Sequence, residues 1–125
     1  MCHKVLYFDV ATPEVYEIIR RQLPPDFDLL VLKNGDLRER YEKLKEAEFI
    51  LVATAELSEE HLKVAKNVRL IQHQGVGYDR TDVAAAKKMG IPIGLTPEGT
   101  SIGVAEHTIL LILSVSVSTL KIVFA

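Results

Sequence analysis

Five short segments of this 125-residue chain are dominated by β-branched and large apolar residues, and each is followed by a stretch whose apolar positions recur at helical spacing. Lys4 to Val10, Asp28 to Leu32, Phe49 to Ala53, Val68 to Ile71 and Ile91 to Leu95 read as strands. A strand buried on one face alternates polar and apolar residues. These do not, so the pattern predicts a parallel sheet covered by helices on both faces, an α/β fold. Pro13 opens a helix carrying Val15, Ile18, Ile19 and Leu23, which Pro24-Pro25 stops. Leu37, Tyr41 and Leu44 mark the second helix, Ser58 caps the third, and Asp79 or Thr81 starts the fourth, over Val83 to Met89, with Gly90 as its stop. A last helix starts near Ser101 and runs through Ala105, Ile109 and Ile112. In such sheets ligands gather at the carboxyl ends of the strands, which singles out the loops beginning at Asp9, Lys33, Thr54, Gln72 and Thr96.

Charge removes one class of function. With 15 Lys and Arg against 17 Asp and Glu, the formal net charge is -2, and no basic excess exists to release counterions from nucleic acid. One cysteine, Cys2, and four scattered histidines build no metal signature, so no metal is expected and a reduced, cytoplasmic setting is. Met1-Cys2-His3-Lys4 runs straight into the first strand without the apolar stretch of a secretory signal. From Ile109 to Ala125, 12 of 17 residues are apolar and Lys121 is the only charge, a composition for burial on all sides. Ser114, Ser116, Ser118, Thr119 and Lys121 break that run below the roughly 18 to 20 apolar residues of a bilayer span, so a membrane anchor is not expected.

The most informative loop is His73-Gln74-Gly75-Val76-Gly77-Tyr78-Asp79, between the fourth strand and a helix. The amides of Gly75, Val76 and Gly77 lie near a positive helix end and suit a small anion. A plain tight turn uses the same glycines, and spacing alone does not separate the two. The loop is not a dinucleotide fingerprint, because Arg80 stands at the third glycine position and no G-x-G-x-x-G occurs anywhere in the chain. Asp9 ends the first strand as in a phosphate-accepting receiver, but Thr54 occupies the place of the nucleophilic Asp. Val10-Ala11-Thr12-Pro13 has one hydroxyl, too few for a flavin phosphate loop. Of the histidines, His3 and His61 read as solvated structural residues, and His73 as standing at the mouth of the glycine loop. His107 reads as a structural or interdomain contact, since its neighbour Glu106 points about 100° away on a helix. No Ser-His-Asp or Cys-His set assembles, so no catalytic residue is assigned.

The stretch from Val68 to Asp79, with Asp82, Ala84 to Ile93, Thr96-Pro97 and Val104-Ala105-Glu106-His107-Thr108, resembles the amino-terminal part of the D-isomer-specific 2-hydroxyacid dehydrogenases. Residues 1 to about 113 fit in order and spacing. The resemblance implies a flavodoxin-like, three-layer substrate domain over residues 1–100, with a five-stranded sheet of order 2-1-3-4-5. Residues 101–125 then form an interdomain helix and an atypical apolar tail. It also implies a Rossmann domain that binds NAD or NADP, and hydride transfer between the nicotinamide and a small 2-oxo or 2-hydroxy acid. Carried over by position, the substrate carboxylate falls on Gly75, Val76 and Gly77. Val104 and Thr108 fall on the nicotinamide side of the cleft, and Thr96 to Gly99 on the interdomain hinge.

The departures carry expectations of their own. The family's catalytic Arg, Glu and His and its glycine-rich dinucleotide loop lie downstream of the matching segment, so this chain is expected to lack hydride transfer alone and to bind no cofactor tightly. Ser114 to Ala125 lacks the Arg, Lys and Glu that would continue the helix, which reads as a chain stopped early, read out of frame, or cut at a boundary. Uncovered apolar surface is expected to drive self-association through the last helix, giving a homodimer. The alternative reading is a stand-alone carboxylate-binding or regulatory module without catalysis. Gly77→Val is expected to abolish 2-oxo acid binding with little change in fold.

Overall fold

The computed structural model describes residues 2–116. Residues 117–125, the second part of the apolar run, lie outside the described residues. Ten elements alternate along the chain: β1 His3–Tyr7, α1 Pro13–Gln22, β2 Phe27–Leu30, α2 Leu37–Glu46, β3 Phe49–Val52, α3 Glu59–Val64, β4 Leu70–His73, α4 Val83–Lys88, β5 Ile93–Gly94 and α5 Ser101–Ser116. The five strands form one parallel sheet in the order β2-β1-β3-β4-β5, as the resemblance implied.

Successive strand residues point to opposite faces, and the sheet sorts its core accordingly. Leu6, Phe8, Ile50, Val52 and Ile71 meet Leu44 of α2, Leu62 of α3 and Ala85 and Ala86 of α4 on one face. Tyr7 and Leu29 meet Tyr16, Ile19 and Leu23 of the α1 segment on the other. Pro13 sits at the first position of α1, and Asp36 caps α2 by accepting the Glu39 N–H at 2.8 Å.

The strands depart from the apolar runs where backbone partners differ from composition. β1 stops at Tyr7 and not Val10: the Phe8 N–H still reaches the Leu51 carbonyl at 2.8 Å, but Asp9 turns away to cap another loop. β4 is displaced from Val68–Ile71 to Leu70–His73. The Val68 N–H closes a turn on Ala65, while the polar Gln72 and His73 pair with Leu51 and Val52. β5 shrinks to Ile93–Gly94 because the Ile91 N–H is taken by the Ala86 carbonyl at 2.9 Å. Neither Asp79 nor Thr81 caps α4; Asp82 does, accepting the Ala85 N–H at 2.9 Å. β2 likewise ends at Leu30 and β3 at Val52.

α5 begins at Ser101 as expected but is not buried: Ile102, Val104, Ile109, Leu110, Leu111, Ile112, Leu113 and Val115 are all exposed. Among the described residues, no helix is long and apolar enough to cross a membrane.

Candidate functional site

Strand order reverses between β1 and β3, so the first crevice to inspect lies between their carboxyl ends. The protein fills it with its own anion. Asp9, buried there, accepts the N–H groups of Ala53, Thr54 and Ala55 at 2.6, 2.8 and 2.7 Å and the Thr54 hydroxyl at 2.9 Å. Burial pushes its carboxyl up, but these four donors together hold it below the ordinary 3.8, so Asp9 is ionised. The amides of the β3 loop are therefore spent.

One strand over, the β4 loop is built differently. Its start is pinned by the Gln74 N–H on the Val52 carbonyl at 2.9 Å and by the Tyr7 hydroxyl on Gln74 Oε1 at 3.1 Å. Thr96, just past β5, donates its N–H to the Gly75 carbonyl at 2.8 Å and its hydroxyl to the His73 carbonyl at 2.9 Å. Between these anchors the N–H groups of Gly75, Val76 and Gly77 meet no protein acceptor among the described residues. Gly75 takes φ +137°, a backbone conformation L side chains rarely adopt, and nothing lies within 4 Å of where a Cβ would stand at Gly75 or Gly77. Three unspent amides on a pinned turn, open to solvent, leave a set of donors whose chemistry suits a small anion.

A cleft of about 340 Å³ adjoins this turn, with the 53–55 loop on one wall and His73, Gly77, Asp79 and Arg80 on the other. His73 does not stand at its mouth as the sequence suggested; it is 3% exposed, with Nε2 at 3.0 Å from the Thr81 hydroxyl and Nδ1 lacking a protein partner. Its position on the Val52 register points it inward, where burial lowers its pKa against the opposing pull of Asp9. The ring is neutral at neutral pH. On the far side of the loop, Tyr78, Val83, Ile93 and Leu95 line an apolar recess of about 220 Å³.

The remaining candidates do not join this site. Val104 is exposed on α5, and the Thr108 hydroxyl turns back on the Val104 carbonyl at 2.7 Å; neither lines the cleft. His107 is exposed on the same helix. His61 is not solvated as expected. Its ring is set edge-on between Phe8 and Tyr41, at 5.2 and 5.8 Å, with Nδ1 accepting the Ser58 N–H at 3.1 Å and Nε2 buried without a partner. Burial, seconded by Arg40, lowers its pKa. No group of three His, Cys, Asp or Glu among the described residues is placed to hold a metal ion. Sequence reasoning missed the structural use of Asp9, Thr81 and Thr96. The one available signal was an acid ending β1 opposite the Ala-Thr-Ala run that ends β3.

Comparison with known proteins gives these positions a context. A family model described as D-isomer specific 2-hydroxyacid dehydrogenase, catalytic domain, matches residues 5–124. The D-3-phosphoglycerate dehydrogenase of Archaeoglobus fulgidus is 30% identical over 112 residues, covering 89% of this chain and 21% of its own length. The glycerate dehydrogenase of Hyphomicrobium methylovorum is 28% identical over 90 residues, covering 66% of this chain and 28% of its own. Among solved structures, the NAD+-bound 3-phosphoglycerate dehydrogenase of Entamoeba histolytica shares the fold with a TM-score of 0.77 at 24% identity, over 91% of this chain and 39% of that one. The chain thus spans between about a fifth and two fifths of these proteins.

Proposed function

The chain belongs to the D-isomer specific 2-hydroxyacid dehydrogenase family, and on that premise we propose that residues 1–100 are its flavodoxin-like substrate domain, with Gly75, Val76 and Gly77 holding the carboxylate of a small 2-oxo or 2-hydroxy acid. The observation that carries this reading is the set of three amides without a protein acceptor, one strand away from three that are spent on Asp9. An acid seated there puts its 2-carbon over the end of β4, held by backbone and not by a mobile side chain. Orientation of this kind lowers a barrier by several kcal/mol, roughly, once the reacting partner is also fixed.

Nicotinamide, NAD or NADP, supplies or accepts the hydride in this reading. These residues fit its pyrophosphate poorly: no strand-to-helix turn here carries the G-x-G-x-x-G pattern that brings backbone amides onto it. Their share in this reading is Val104 and Thr108 on α5, which do not line the cleft described above and are assigned to the nicotinamide side by the family resemblance. His73, the one imidazole lining the cleft, is buried and engaged with Thr81, so it is not offered as a base to the substrate hydroxyl. These 125 residues therefore bind and orient an acid without turning it over, in a cytoplasmic setting. The exposed apolar residues of α5 support self-association of the chain through that helix.

The test is NADH and NADPH oxidation by the folded chain with glyoxylate, pyruvate and hydroxypyruvate, run beside titration of its backbone amides with the same acids. We expect no turnover, with shifts at Gly75, Val76 and Gly77. Turnover contradicts the division of labour, and silence at those three amides contradicts the carboxylate site.

A further inference from the structure

Resting on the reading of Gly75 to Gly77 as the carboxylate site, we infer that the acid bound here has a short, uncharged remainder, and that these residues select against an acid carrying a second anionic group. The two recesses flanking the loop carry the argument. In the cleft, the 53–55 wall offers only methyl groups and a Thr54 hydroxyl already given to Asp9. Its one cation, Arg80, lies 3.9 Å from the Glu56 carboxylate, with both side chains about two-thirds exposed. Asp79 stands on the same wall, and the ionised Asp9 lies behind the 53–55 turn. The one guanidinium is thus shared with Glu56 beside it and matched by Asp79 on the cleft wall, with the Asp9 carboxylate behind the turn, and His73 adds no charge.

A phosphate or second carboxylate entering that cleft meets a net negative surround within about one Debye length, roughly 10 Å at 0.1 M salt. A hydroxymethyl or methyl group meets none of this cost. The recess of Tyr78, Val83, Ile93 and Leu95 has no cation among its lining residues and is mainly apolar. The similar proteins fall on both sides of this choice, since phosphoglycerate and glycerate differ by the phosphate alone. Resemblance does not decide between them; the charges lining the cleft do.

The matched pair D-glycerate and D-3-phosphoglycerate tests the inference directly. The isotope-labelled 125-residue chain is titrated with each at about 20 mM and about 200 mM salt, following the Gly75, Val76 and Gly77 amides. We expect glycerate to bind at least about 5-fold more tightly at low salt, with the gap shrinking at high salt and in Asp79→Asn. Equal or tighter binding of the phosphorylated acid through the same three amides overturns the inference while leaving the carboxylate site standing. If neither acid moves those amides, the carboxylate site itself fails and the inference falls with it, a result separable from the first because the loop is then silent to both.

Discussion

Asp9 and Thr54, 45 residues apart in the chain, are joined twice through a single oxygen: Asp9 Oδ1 accepts both the Thr54 N–H at 2.8 Å and its hydroxyl at 2.9 Å. With Ala53 and Ala55 also donating, the end of β1 holds the loop that walls the cleft. Asp9→Asn keeps the shape but replaces one acceptor oxygen by a donor facing N–H groups. We expect it to destabilise the chain by about 2–4 kcal/mol at pH 7, the cost of stranding buried donors of a charge-assisted set. Because the folded carboxyl is held below its ordinary 3.8, the wild-type advantage is present above that pH and is lost as pH falls through the folded value. Urea unfolding of both proteins between pH 7 and pH 3 checks this: the gap between them should close in acid.

His73 and His61 predict a second, earlier acid limb. Burial lowers both below the ordinary 6.5, so below that value the unfolded chain binds more protons than the folded one. Their contribution to stability is therefore complete above 6.5 and declines as pH falls toward the folded values. Imidazole resonances followed by NMR should show both rings titrating below 6.5. Thr81→Val should cost about 1 kcal/mol through the lost bond to His73 Nε2. A stability curve flat from pH 7 to pH 5 is the contrary result.

Much of this fold was legible because burial on two faces leaves a plain mark. Runs such as Phe49 to Val52 admit no one-sided sheet, and the α/β alternation follows. β4 was misplaced by two residues for the converse reason: Gln72 and His73 are polar, yet their backbones complete the ladder to β3 while their side chains bond Thr96 and Thr81. Gly75 to Gly77 could be singled out from glycine spacing. What spacing could not reveal is that their amides are free and those of Ala53 to Ala55 are not, since that depends on Asp9, which is remote in sequence. The exposure of α5 agrees with the uncovered apolar surface expected at the last helix, although an apolar composition says that a helix needs a cover and not where the cover lies.

The two glycines of the loop should separate fold from binding. Gly75 stands at φ +137°, so Gly75→Ala is strained whatever the space around it, and we expect a loss of about 1–2 kcal/mol in stability. Gly77 has no positive φ and open space at its Cβ position, so Gly77→Val should leave the melting curve within about 0.5 kcal/mol of wild type. Its side chain would still stand on the surface where the carboxylate sits. Amide titrations with pyruvate should then show at least about a tenfold loss of affinity in Gly77→Val. Retained affinity would return the glycines to the role of a plain turn.

α5 gives the last prediction. Ile109 and Ile112 are one helical turn apart, 57% and 60% exposed, and flanked by other exposed apolar residues. A helix apolar on all sides is stable in water only when something covers it, and a second copy of the same helix is a cover the chain can supply by itself. Sedimentation velocity across a wide protein concentration range should show a mass rising toward twice the monomer. Ile109→Lys with Ile112→Lys removes two side chains whose burial contributes about 1.5–3 kcal/mol each, enough to weaken association by roughly two to four orders of magnitude and leave a monomer. Because both residues lie outside the sheet domain's core, the double variant should keep the far-ultraviolet circular dichroism of the sheet and its urea midpoint. A wild-type mass that stays at the monomer value at every concentration removes the homodimer.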